Sequence, residues 1–292
     1  MKPRRWTSII LSALLTALLT ACATPAQRID EMAHRLGLRR QVVQGASFAH
    51  VVYQHETISQ AGTLHVYLES DGSPWLNRYT VAPDPTPRNP LTLELMAQDR
   101  APSLYLGRPC YHGFATTPPC HPLFWTSRRY GPEVVDSMAA ALETLLEQAE
   151  RAGRPFTQLV FIGYSGGGAL AMLLAERFQQ TRAVLTVAGN LDIDRWASWH
   201  GYSPLQGSLN PATRPPLRPD IAQLHVVGDY DRNIPENFIR SVVMKQHCSE
   251  YIVYNNFDHN CCWKTTWPVL LERLNEQLML KLNPFHDCHP SN

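Results

Sequence analysis

The sequence predicts an α/β fold with a mostly parallel central sheet and helices on both of its faces. Short apolar runs of strand length alternate with helix-forming segments, the pattern of parallel strands joined by helical crossovers. One joint, residues 158–177, passes from a buried strand directly into a helix through four glycines and one serine. At 292 residues and 44% hydrophobic content, the chain can bury a large single core.

The chain begins with an export pattern. Lys2, Arg4 and Arg5 form a basic start, and residues 6–19 form an apolar run short for a membrane span. The run closes in Leu19-Thr20-Ala21-Cys22. This resembles the lipobox of bacterial lipoproteins, which implies removal of residues 1–21, lipidation of Cys22 and a membrane partner reached through that anchor. Ala23, rather than Asp, follows the Cys, so the expected location is the bacterial cell envelope, on the outer membrane facing the periplasm. Without its three leading basic residues the mature chain has 23 Lys and Arg against 25 Asp and Glu. A balance near −2 with no basic stripe excludes a nucleic-acid partner.

Seven cysteines suit an exported protein. Setting Cys22 aside leaves the even set Cys110, Cys120, Cys248, Cys261, Cys262 and Cys288. Cys110 and Cys120 bracket a loop rich in Pro and Thr and are expected to pair; the other four have no assigned order. No Cys-x-x-Cys occurs and the histidines are scattered, so no metal site is expected.

Residues 22–45 read as a tether and N-terminal segment, ahead of one α/β domain over 46–292. Residues 48–53 and 64–68 alternate as strands, joined by a polar turn containing Gly62. A loop with Pro83, Pro85, Pro87 and Pro90 leads to a short helix over 91–98 and a strand over 104–106. Pro132 opens a helix over 133–151, with Val134, Met138, Ala141, Leu142 and Leu145 on one face and Gly153 and Pro155 as its stop. A strand over 159–162, a helix over 169–178 and a strand over 183–187 follow. Residues 190–220 have no clean period. They hold Trp196, Trp199, His200 and Tyr202 among five prolines, and read as an ordered insertion whose aromatics could line a substrate rim. A strand over 224–227, a helix over 235–246, a strand over 251–254 and a helix over 263–282 complete the chain.

The chemistry centres on Gly163-Tyr164-Ser165-Gly166-Gly167. This is G-x-S-x-G between a strand and a helix, where a strained turn pushes the central serine out of the sheet and a helix N-terminus faces it. A phosphate-binding loop would continue Gly-Lys-Ser/Thr, whereas Gly168-Ala169-Leu170 stands here; Gly163-x-x-Gly166 also lacks the dinucleotide pattern. A serine nucleophile needs a base, and the base an orienting acid, both at the carboxyl ends of strands. The acid candidate is Asp231 in Gly228-Asp229-Tyr230-Asp231-Arg232-Asn233-Ile234-Pro235, with Asp229 as its rival. The base candidate is His259, between the last strand and the closing helix; His247 ends a helix, and His286 and His289 lie in the tail.

The spacing Gly228-x-x-Asp231-x-x-Ile234-Pro235 and the chain order Ser165, Asp231, His259 resemble the α/β hydrolases over essentially the whole mature chain. The resemblance implies an α/β-hydrolase fold and a serine hydrolase of the esterase or lipase kind, with a small-molecule or lipid ester as substrate and no cofactor. It places the oxyanion hole at the Gly166 N–H and at a second N–H in the loop Ser70-Asp71-Gly72, from either Asp71 or Gly72. Lipases often carry His-Gly-Gly there, and this chain has Glu69-Ser70-Asp71-Gly72 instead. Acyl transfer through the same residues, or a non-catalytic envelope binding protein, is also compatible with the sequence.

Overall fold

The computed structural model describes residues 23–55 and 62–281. The export segment with Cys22, most of the turn before Gly62, and Cys288 lie outside the described residues. Among the described residues eight strands form one sheet in the order β1-β2-β4-β3-β5-β6-β7-β8. They are β1 (Leu38–Gln44), β2 (Ala49–His55), β3 (Gly62–Leu68), β4 (Ser103–Leu106), β5 (Phe156–Tyr164), β6 (Thr181–Val187), β7 (Ala222–Gly228) and β8 (Ser249–Tyr254). β1, β2 and β4 pair antiparallel; every pair from β4 to β8 is parallel. The helices are α1 (Pro25–Arg35), α2 (Leu91–Met96), α3 (Pro132–Arg151), α4 (Gly166–Ala175), α5 (Ile193–Trp199), α6 (Glu236–Val243) and α7 (Trp263–Lys281).

Strand periodicity divides the core in two. In β5, Leu159 and Phe161 point to the face covered by α3, α4 and α6, where Val134, Met138, Leu142, Leu170 and Phe238 pack. Val160 and Ile162 point to the other face, against Ile29 of α1, Leu93 of α2, and Trp263, Trp267 and Leu270 of α7. A strand buried on both faces has no polar side, which is why β5 reads as an unbroken apolar run. Because β5, β7 and β8 are parallel, the segments that follow Tyr164, Gly228 and Tyr254 emerge at one edge of the sheet.

Four expectations need correction. Of the segment expected as a tether, residues 23–45 are built into the fold. Thr24 and Gln27 cap α1 reciprocally at 2.8 and 3.2 Å, Ile29 and Ala33 enter the core, and β1 pairs with β2 from Leu38↔His55 to Gln44↔Ala49. A domain boundary at residue 46 would cut this hairpin. Second, the two strands read as joined by a polar turn do not pair as a hairpin would, since β4 lies between β2 and β3. Third, the 190–220 segment contains α5, whose first turn is capped by the Asp192 side chain on the Arg195 N–H at 3.3 Å. Fourth, α4 starts three residues before the expected helix, through Gly166-Gly167-Gly168, despite the poor helix propensity of glycine.

Cys110 and Cys120 are joined in a disulfide with their Cα atoms 5.4 Å apart. Cys261 and Cys262 are bonded to each other, and Cys248 is also disulfide-bonded.

Candidate active site

Ser165 stands between β5 and α4 with φ +53° and ψ −121°, a backbone region that non-glycine residues adopt at a cost of roughly 1–3 kcal/mol. The turn is held from several sides. Ser165 N–H donates to Val187 O at 2.9 Å, and Ser165 O accepts from Gly168 N–H at 2.9 Å and Asn190 N–H at 2.8 Å. A Cβ on Gly163 would sit 2.2 Å from Gly167 O, so the strand can fold back onto the helix start only with glycine there.

The segment after β7 supplies Asp231, whose side chain is fully buried. Its Oδ1 accepts from the backbone N–H groups of Asn233 and Ile234, each at 2.8 Å. Its Oδ2 meets His259 Nδ1 at 2.8 Å, and His259 Nε2 lies 3.0 Å from Ser165 Oγ. A carboxylate can only accept, so Nδ1 carries the proton and the Nε2 lone pair faces the serine hydroxyl. Asp229 does different work: its side chain accepts from Asn256 N–H at 2.7 Å, fixing the turn after β8. The histidine is held from behind as well. His259 O accepts from Trp263 Nε1–H at 3.1 Å, and the Tyr164 ring lies 5.2 Å from the imidazole, its hydroxyl donating to Asn260 Oδ1 at 2.7 Å. Asp258, next to the histidine, is held below the usual carboxylate range by the backbone N–H groups of Cys261 and Asn260.

The loop after β3 carries the second expected donor. Glu69 anchors it, accepting from Ser70 N–H at 2.8 Å and from both the N–H and hydroxyl of Thr92 at 2.9 Å. Burial pushes the Glu69 carboxyl up even against these hydrogen bonds. Gly72 N–H reaches Ser70 Oγ at 3.3 Å, whereas Asp71 N–H makes no hydrogen bond among the described residues. The Asp71 carboxylate accepts from Arg108 Nη2 at 2.8 Å, Arg129 Nη1 at 2.9 Å and the Tyr130 hydroxyl at 2.6 and 2.7 Å. Burial alone would raise this carboxyl; the guanidiniums of Arg129 and Arg108, with the Tyr130 hydroxyl, outweigh it and hold the group below its usual range. The cluster lies directly on the elbow: a Cβ on Gly166 would be 2.1 Å from Asp71 Oδ1 and 2.5 Å from the Tyr130 hydroxyl.

The expected aromatic rim is arranged differently. Trp196 is buried and donates from Nε1 to Asn233 Oδ1 at 3.3 Å, while His200 Nε2 donates to Asn233 O at 2.8 Å. Trp199 packs edge-on against Phe238, and Tyr202 stacks on His200. A cavity of about 480 Å³ opens beside His259, and it is lined by Tyr230, Arg232, Asn233 and Asp258 rather than by these four. Trp196 and His200 therefore support the acid loop from behind. Sequence reading missed Glu69, Arg108, Arg129, Tyr130 and Asn233. The adjacent Arg128-Arg129-Tyr130 before Pro132 was the one local sign of a charged cluster, and nothing in it pointed to Asp71.

A family model described as serine hydrolase (FSH1) matches residues 96–260, more than half of the chain and the stretch that contains Ser165, Asp231 and His259. No curated protein matches the chain. Among solved structures, the chain is similar to a membrane phospholipase A described as a bacterial virulence factor, at 14% identity, 93% of this chain, 97% of that chain and a TM-score of 0.59. It is also similar to a putative α/β hydrolase from Agrobacterium tumefaciens, at 14% identity, 87% and 100% coverage and a TM-score of 0.52. An esterase from Pyrococcus furiosus is similar at 11% identity, 85% and 93% coverage and a TM-score of 0.57. At such identities the likeness is one of fold.

Proposed function

Since the chain belongs to the serine hydrolase (FSH1) family and has the α/β-hydrolase fold, we propose that it cleaves carboxylic esters through Ser165, His259 and Asp231. The observation that carries this reading is the hydrogen-bonded run from Ser165 Oγ to His259 Nε2 at 3.0 Å and from His259 Nδ1 to Asp231 Oδ2 at 2.8 Å. His259 takes the Ser165 proton as Oγ attacks the acyl carbon, and Asp231 keeps the tautomer and stabilises the imidazolium. The Gly166 N–H and the Asp71 N–H receive the oxyanion, a contribution of about 3 kcal/mol per donor. The imidazolium returns its proton to the departing alkoxy oxygen, and water then releases the acyl group by the same route.

The substrate class that fits this chemistry is a small-molecule or lipid ester. We propose further that Cys22 is lipidated and ties the domain to the bacterial cell envelope; the Lys2-Arg4-Arg5 start, the apolar run and Leu19-Thr20-Ala21-Cys22 support this. Turnover of p-nitrophenyl esters of rising acyl length tests the catalytic reading. Ser165→Ala is expected to lower kcat by at least about a thousandfold and to abolish fluorophosphonate labelling. Undiminished turnover in that variant would sink it.

A further inference from the structure

Asn233 brings a second donor to the base. Its Nδ2 lies 2.9 Å from His259 Nε2, the same atom that Ser165 Oγ reaches at 3.0 Å. The direction of the carboxamide is fixed by chemistry. An indole N–H only donates, and Trp196 Nε1 meets Asn233 Oδ1, so the amide nitrogen must face the imidazole. The backbone is clamped on both sides, by Asp231 Oδ1 at 2.8 Å on its N–H and by His200 Nε2 at 2.8 Å on its carbonyl. A neutral imidazole protonated at Nδ1 has one lone pair at Nε2, and here two donors share it.

The amide also stands beside the place a leaving oxygen must take. To receive a proton from Nε2, that oxygen has to come within about 3 Å of it while still bonded to the carbon that Ser165 Oγ has attacked. The cavity of about 480 Å³ beside His259 offers that approach, and Asn233 forms part of its wall.

We propose that Asn233 is a further catalytic residue, whose Nδ2–H donates to the oxygen that exchanges a proton with His259. The proposal rests on the Ser165–His259 reading above. In acylation the bond from acyl carbon to alkoxy oxygen breaks, and the oxygen takes the Nε2 proton. The Asn233 N–H leaves Nε2 for that oxygen, keeps its own proton, and stabilises the negative charge built there. In deacylation a water takes the same place. Its oxygen accepts from Asn233, one of its protons goes to Nε2, and its remaining lone pair attacks the acyl carbon.

Leaving-group dependence tests this. p-Nitrophenolate departs as a stable anion and needs little help, whereas ethoxide needs both a proton and a donor. With one acyl group and these two alcohols, Asn233→Ala is expected to lower kcat/KM for the ethyl ester by about ten- to a hundredfold, the loss of one hydrogen bond to a charged oxygen. For the p-nitrophenyl ester the change should stay within about threefold by the same reasoning. The ratio of the two values does not depend on how much of the variant is folded, and Asn233→Leu, closer in shape and also without a donor, provides the second reading. An equal fall on both esters means that Asn233 only holds His259 in place and overturns the proposal, as does no fall on either. If Ser165→Ala still turns over both esters, the nucleophile reading has failed instead.

Discussion

Replacing Asp71 with Asn removes one negative charge from between two buried positive ones. The carboxylate accepts from Arg108 at 2.8 Å, Arg129 at 2.9 Å and Tyr130 at 2.6 and 2.7 Å, and the two guanidinium side chains are only 4% and 5% exposed. Arg108 Nε already lacks a partner among the described residues, so there is no spare acceptor to take over. Removing one partner of a buried ion pair costs about 3–5 kcal/mol, mostly as the penalty of charge left behind. For a chain of this size a melting point moves about 2–4 °C per kcal/mol, so Asp71→Asn should melt roughly 6–20 °C below wild type. Calorimetry and urea unfolding read the loss. The variant keeps the residue-71 N–H, so a fall in kcat measured well below its melting point reports displacement of the loop rather than a missing donor. Arg129→Met and the double variant close a thermodynamic cycle, in which the losses should be far from additive. A loss under about 1 kcal/mol would refute the view that this buried network fixes the loop.

Two further outcomes follow from buried groups and from the proposed lipid anchor. His50, His112 and His225 are buried, and burial lowers their pKa values from 6.5 to about 4, about 3 and about 3. The unfolded chain therefore takes up these protons first, so stability falls as the pH drops below 6.5 and keeps falling until the folded-state values are reached; urea unfolding should show roughly 6 kcal/mol less stability at pH 5 than at pH 7.5, and a flat profile would contradict it. Cells fed labelled palmitate should mark the wild-type chain in the membrane fraction but not Cys22→Ser, and an unlabelled wild type would end the anchor proposal.

What could be read from sequence depended on where the partner of each residue lies. β5, β6 and β7 were legible because strands buried on both faces need mostly apolar residues, and such runs stand out. β1 was not, because Leu38-Arg39-Arg40-Gln41-Val42-Val43-Gln44 is an edge strand with most of its side chains exposed. α5 was missed because seven residues with three buried side chains carry too little period. Ser165, Asp231 and His259 could be named because each stands at a short, fixed offset from a strand end, and the fold brings those ends together. Arg108, Arg129 and Tyr130 could not, since they meet Asp71 across 37, 58 and 59 residues of chain. Asn233 sat in plain view within the acid loop, yet its contact with His259 depends on the direction of a carboxamide that only Trp196 fixes.

These late contacts form one line through the site. Asp71 binds Arg129, whose guanidinium lies 5.9 Å from the Trp196 ring centre; Trp196 donates to Asn233, and Asn233 meets His259. The segment after β6, which reads as an insertion, therefore stands between the loop carrying the Asp71 N–H and the loop carrying the acid. Its aromatic content is explained by that place: a flat indole can take a cation on one face and still offer a single N–H at its edge. The charge count matters as well. Two guanidiniums against one carboxylate leave a net positive charge beside Gly166, where the proposed reaction builds a negative one. In a site of low effective dielectric such a fixed charge acts over several ångströms without any rearrangement at the moment of reaction. Asp71 thus serves by neutralising half of a paired cation and pinning the loop, while the other half remains to favour the oxyanion.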